Sequence, residues 1–158
     1  MACRHIEKYP TLWMGNLIVN GFTTMVKLIY VAGDISVAFD ALPKIGEIPS
    51  IFFENDVKTK LIDDHIHKYK KSCVLTALPF GNTEEERQRH ASTMFTGVIR
   101  YLKSIEATGA TGVLLNDEEC KVHLYLKSEG STNILATLAP DWFHAFYDRL
   151  FLIVALYK

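Results

Sequence analysis

The chain has no apolar run approaching the ~20 residues of a membrane-spanning helix, so no such span is expected. Its first residues, MACRHIEKYP, lack the apolar stretch of a secretory signal. Cysteine is scarce: only Cys3, Cys73 and Cys120 occur, an odd number with no CxxC pair. That excludes a disulfide framework and a zinc ribbon and points to a reducing compartment. An excess of one charge is also missing. Seventeen basic residues face eighteen acidic ones, for a net charge of −1, which is not the footprint of a general nucleic-acid binder. Nucleotide and hydrolase fingerprints are absent as well: no GxSxG elbow, no GxxxxGK[ST] loop, no dinucleotide-binding glycine motif.

What is present suits a sizeable single core. The 158 residues are 49% hydrophobic, the size and composition of one ordinary domain. Residues 12–20, LWMGNLIVN, read as a strand, and TTMVKLIYVAG as a second, joined by a tight turn at GF into a hairpin. DISVAFDALP reads as a short helix with Asp34 as N-cap and Pro43 beyond its end. PSIFFE reads as a third strand. NDVKTKLIDDHIHKYKK has near-helical spacing of Val57, Leu61, Ile66 and Tyr69, with Asn55 or Asp56 as cap. SCVLTALPF is a continuous apolar run of strand length, expected to be buried on both faces.

Residues 82–109 carry the longest helix signal. Asn82 or Thr83 caps it, Glu84, Glu85 and Glu86 favour its positive end, and Gly109 marks its close. Val98, Leu102 and Ile105 face the core, while Tyr101 and Lys103 fall off that stripe. TGVLL is a strand. CKVHLYLKS alternates strictly, with Val122, Leu124 and Leu126 inward and Lys121, His123, Tyr125 and Lys127 on a wet face. STNILATLAPDWFHAF is helical in two pieces around Pro140, and RLFLIVALYK is a buried closing strand. The order β-β-α-β-α-β-α-β-β-α-β has no regular βαβ repeat. It predicts an α+β domain with a mainly antiparallel, barrel-like sheet.

The chemistry-bearing residues do not assemble into a catalytic set. DDHIH (63–67) puts Asp63 and His67 one helical turn apart, a chelating spacing, but a solvated helix face is the plainer reading. His123 and Tyr125 share a strand face with no third group in view. No nucleophile–base pair is found, so an enzyme is not expected, nor a metal or organic cofactor. A binding module is the default, either a peptide adaptor with a groove beside the strands or a scaffold. Lys27, Lys121 and Lys127 form positive surface suited to acidic or phosphorylated peptides, and equally to ordinary solubility.

Six stretches in order resemble the SPOC domain, the C-terminal module of Spen (split-ends) transcriptional regulators. LWMGNLIV resembles its W-x-G opening strand, and MVKLIYVAGD with AFDALP its second strand and first helix. SCVLTALPFGN resembles the central strand, VIRYLKSIEATGATGV the end of the long helix, ILATLAPDWF the segment before the last strand, and LFLIVALYK that strand. The likeness runs from Leu12 to the C-terminus, with residues 1–11 as an N-terminal extension and 12–158 as the domain. It implies a distorted seven-stranded β-barrel-like sheet with flanking α-helices. It also implies a monomeric nuclear interaction module that contacts neither nucleic acid nor membrane. Its partners would be peptide segments of corepressor, transcription or RNA-processing proteins, with or without phosphoserine.

Carried over by position, the resemblance makes Tyr101 a groove residue. A family lysine falls on Asn20. The family's phosphate-binding arginines fall around PSIFFEND, where this chain has Ser50, Glu54 and Asp56. Lys58, Lys60 and Lys27 are then the cations available to the peptide-binding site. The plain reading of Tyr101 is a rim residue capping the core with its hydroxyl in water.

Overall fold

A computed structural model of the chain describes residues 8–44, 49–57, 71–114 and 117–158. The predicted helix following Val57, with DDHIH, Lys58 and Lys60, lies outside the described residues.

β1 (Thr11–Val19) and β2 (Phe22–Gly33) form an antiparallel hairpin with Val19 opposite Phe22. The turn is Asn20–Gly21, not Gly21–Phe22, because both residues adopt positive φ, +49° and +81°. A two-residue turn of this kind matches the right-handed twist of its strands, and Asn-Gly is its preferred sequence. α1 (Ile35–Ala41) follows, capped as expected by the Asp34 carboxylate, which accepts from the Ser36 N–H at 3.0 Å.

The third strand differs from expectation in an instructive way. It splits into β3 (Ser50–Phe53), parallel to β1, and β4 (Asn55–Val57), antiparallel to β6 (Gly109–Leu114). Asn55 and Asp56 are therefore strand residues, not a helix cap. At the bend, the Glu54 N–H donates to the Thr111 carbonyl at 2.9 Å. One segment thus hands over from one edge of the sheet to the other. The described order is β3-β1-β2-β5-β8-β7-β6-β4, eight strands in a nearly closed barrel-like sheet. The remaining members are β5 (Ser72–Pro79), β7 (Asp117–Tyr125) and β8 (Leu152–Tyr157). With β3 and β4 as halves of one bent segment, the ring has the seven positions expected. Among the described pairings only β1–β3 is parallel.

The long helix starts at α2 (Glu84–Ser92), where the Thr83 hydroxyl accepts from the Glu86 N–H at 3.1 Å. It continues through a π-helical stretch (Thr93–Ile99) into α3 (Arg100–Ser104). It ends before Gly109: Glu106 takes the left-handed conformation (φ +60°) that turns the chain. Gly109 instead begins β6, where a Cβ would lie 1.8 Å from the Leu124 carbonyl oxygen of β7. α4 (Glu129–Leu138) has a reciprocal Ser128/Ser131 capping box, and α5 (Pro140–Phe146) starts at Pro140, which needs no N–H at that position.

Two cores result. The barrel interior holds Leu17, Leu28, Leu75, Leu124 and Val154, joined by Val37 and Ala38 of α1 and by Met94, Val98 and Leu102 of the long helix. A second cluster lies outside the sheet, where Ile29, Val31, Val74 and Ile153 pack against Leu135 and Trp142 of α4 and α5. β5 and β8 are buried on both faces, which explains their unbroken apolar sequences. The same covering helices overturn the wet face expected of β7. His123 and Tyr125 are 2% exposed and stack ring on ring at 4.0 Å. Strict alternation signalled two different environments; at His123 and Tyr125 both are interior, while Lys121 on the same face stays exposed. Cys73 and Cys120 are buried as expected, and burial pushes the Cys73 thiol up to about 12, so it stays a protonated, inert packing group.

His90 fastens the long helix to the hairpin. Its Nδ1 accepts from the Met25 N–H at 3.0 Å, and its carbonyl accepts from the Thr24 hydroxyl at 2.9 Å. An imidazole that accepts at Nδ1 is neutral, and burial, then Arg89, holds its pKa below the usual histidine range. The unfolded chain therefore takes up this proton first. The contribution is complete above an unfolded pKa of about 6.5 and is lost as pH falls through the lower folded value. Thermal melts from neutral to acidic pH should show falling stability. A His90→Gln variant, whose amide oxygen still accepts, should show a flatter fall. Parallel profiles would remove His90 from the account.

Candidate functional site

β1 and β3 keep their outer face open, unlike β5 and β8. Outward on β1 stand Met14, Asn16 and Ile18, and opposite Ile18 on β3 stands Phe52. Met14 is 49% and Phe52 50% exposed. Such side chains on a sheet face are a recurrent feature of docking surfaces. Ser50 and Phe52 alternate outward while Ile51 and Phe53 enter the core. The bend at Glu54 then brings exposed Asp56 up to the long helix.

Tyr101 meets β4 there. Its ring is half-buried against the barrel core, and its hydroxyl donates to the Asp56 carboxylate at 3.3 Å. Partial desolvation, then the Asp56 charge, raises the phenol above its ordinary pKa, so it remains a donor. Tyr101 is thus a rim residue whose polar end is engaged by an acid of the bent strand.

The other expected site residues are dispersed. Asn20 occupies the exposed hairpin turn, where its backbone role is the left-handed conformation. Lys27 stands on β2 opposite Met14 and Leu78, and lines a 210 Å³ cleft with Arg87, near the start of the long helix that carries Tyr101, and with Arg149 of the loop before β8. Lys121 is exposed. Lys127 is half-buried and donates to the carbonyls of Tyr147 and Arg149 at 2.8 and 2.9 Å, which fixes the loop before β8. Among the described residues no group of three or more His, Cys, Asp or Glu side chains is arranged to hold a metal. The Asp56–Tyr101 pair was not legible beforehand because Asp56 read as a helix cap.

The W-x-G sequence of β1 also acquires a physical basis. Trp13 is buried and its indole N–H donates to the Pro43 carbonyl at 2.8 Å. The indole lies over Gly15, where a Cβ would fall 2.5 Å from the ring and 2.3 Å from the Pro49 carbonyl oxygen. Gly15→Ala should therefore destabilise the fold by roughly 1–3 kcal/mol, the usual range for overpacking, read as a lower denaturant midpoint. An unchanged midpoint would mean the strand carries no such constraint.

No protein-family model matches the chain. Among curated proteins it is 25% identical over 146 residues to "Protein split ends" of Drosophila melanogaster, covering 86% of this chain and 3% of that protein. It is 25% identical to the Mus musculus "Msx2-interacting protein" and 26% identical to the Homo sapiens one, each over 144 residues, 86% of this chain and 4% of theirs. The chain spans only a few per cent of the length of these relatives. Along most of its length, then, this α+β barrel is similar to one segment of the split-ends type of protein.

Proposed function

We propose that the chain is a divergent SPOC-type peptide-binding domain of a nuclear transcriptional co-regulator or RNA-processing factor, and that it recruits its partner through an unphosphorylated segment. The reading is supported by the similarity to split ends and Msx2-interacting protein and by the six ordered motifs. One observation carries its second half: the Tyr101 hydroxyl is held by Asp56, on the segment where the family pattern places phosphate-binding arginines. Arginine grips phosphate through a planar fork. Ser50, Phe52, Glu54 and Asp56 offer instead a hydroxyl, a ring and two acids. A phosphoserine would bring nearly two further negative charges toward those acids. The apolar surface of Met14, Ile18 and Phe52 favours aliphatic or aromatic side chains of the partner.

The test is capture of partners from nuclear extract on the immobilised domain, with and without prior phosphatase treatment. Capture should survive phosphatase and fall several-fold with Tyr101→Ala or Phe52→Ala. Capture abolished by phosphatase would overturn the unphosphorylated reading. Capture untouched by either substitution would overturn the β1–β3 face as the binding surface.

A further inference from the structure

A second groove runs along the flank of the long helix turned toward the loop before β8. Two adjoining depressions, 390 Å³ and 210 Å³, meet at Arg149 and Leu150 and together line one flank of the helix as a trough. One wall is the helical row Arg87, Ala91, Phe95, Ile99 and Lys103. An α-helix rotates about 100° per residue, so a spacing of four drifts by about 40° at each step. The wider π turn at Thr93–Ile99 offsets that drift and straightens the row. Sixteen residues of helix span roughly 24 Å at α-helical rise. An extended peptide of about seven residues covers that distance.

The floor is apolar, formed by Leu150 over the buried Leu78 and Phe151, and on the wall Phe95 stands 60% exposed beside Ile99. The rims carry Lys27, Arg87, Lys103 and Arg149, and Asp148 is the one acid among the described lining residues. Arg87 also pairs with Glu84, whose two carboxylate oxygens accept from its Nε and Nη2. Lys127 adds positive charge while its ammonium holds the loop carbonyls. In a chain of net charge −1, this concentration of cations along an apolar trough is a local departure from the average. We infer that this trough docks an extended acidic peptide whose carboxylates meet the rim cations and whose alternate apolar side chains fill the floor. A single-stranded nucleic acid fits less well, because such sites stack successive bases on several exposed aromatics and this trough presents one, Phe95.

The trough is built by the long helix and the loop before β8 and borders the β1–β3 face only at Lys27, opposite Met14, so it does not rest on the function proposed above. The test titrates the ¹⁵N-labelled chain with a peptide of about seven residues alternating Asp or Glu with Leu or Phe. The same titration is run with a Lys-for-acid counterpart and with a single-stranded oligoribonucleotide of similar length. Saturable shifts confined to residues 87–103, Lys27 and 149–151 are expected with the acidic peptide alone. Arg149→Glu should weaken that binding by about fivefold or more, as reversing one exposed charge contact would. Tyr101→Ala should leave it unchanged. No saturable shift, shifts centred on β1 and β3, or tighter binding of the oligoribonucleotide at these residues would each overturn the proposal.

Discussion

Trp13→Ala should destabilise the domain by roughly 3–5 kcal/mol, the range for a large aromatic removed from a packed core. The side chain is 7% exposed and belongs to the barrel-interior cluster. Its removal empties the space above Gly15, which the Pro49 backbone carbonyl borders. It also strips the buried Pro43 carbonyl of its indole donor, and an acceptor left unsatisfied costs about 1–3 kcal/mol of its own. Trp13→Phe keeps most of the apolar volume and loses only the hydrogen bond, so it should fall well below the alanine variant. Urea denaturation of the three proteins gives the comparison. A loss below about 1 kcal/mol for Trp13→Ala would make the residue peripheral and displace β1 from its position.

The outer core should behave differently. Trp142 is 1% exposed, stacks on Phe146 at 4.9 Å and meets Phe151 edge-on at 5.1 Å. Trp142→Ala should again cost roughly 3–5 kcal/mol, by emptying the centre of the outer core against Phe151. Its indole nitrogen, however, has no hydrogen-bond partner among the described residues. A buried donor without a partner is itself a cost of about 1–3 kcal/mol. Trp142→Phe relieves that cost while giving up part of the ring, so its net effect should be within about 1.5 kcal/mol of zero. A loss for Trp142→Phe well beyond about 1.5 kcal/mol, as large as that of Trp13→Phe, would contradict an unpartnered N–H. The pair of tryptophans thus separates two kinds of burial, one in which the polar atom is satisfied and one in which it is not.

Much of this architecture was legible from periodicity and punctuation. Unbroken apolar runs marked β5 and β8, and Asp34, Thr83 and Pro140 marked helix starts through chemistry confined to a few neighbouring residues. Long-range facts were harder to read. The bent strand at Glu54 exists because one segment serves two edges of a barrel, and no local pattern encodes which edges will meet. His123 and Tyr125 read as solvent-facing because alternation reports that two faces differ, not that one is wet, and α4–α5 cover the second face. Gly109 looked like a helix stop, but it is required by the close approach of β6 to the Leu124 carbonyl. Nothing in the composition announced the π stretch at Thr93–Ile99.

The candidate site divides along the same line. Tyr101 off the core stripe was visible at once, since helical spacing alone puts it at the rim. Its partner was not, because Asp56 approaches it only through the β3–β4 bend. Lys27 was visible as an outward cation, and its association with Arg87 and Arg149 depends on where the loop before β8 passes. A row at intervals of four, from Arg87 to Lys103, is the one sequence signal that would have indicated the trough, and a regular α-helix would have dispersed it.

The most direct test is isothermal titration of the domain with a serine-containing peptide from a captured partner, in phosphorylated and unphosphorylated forms. The Asp56–Tyr101 arrangement predicts that the unphosphorylated peptide binds at least as tightly. It also predicts that Tyr101→Ala weakens this binding with little change in melting temperature, since a rim side chain contributes contact more than core. Affinity improved about tenfold or more by phosphate, equivalent to ~1.4 kcal/mol, would contradict the account. It would mean that cations elsewhere on the chain supply the grip that the bent strand lacks.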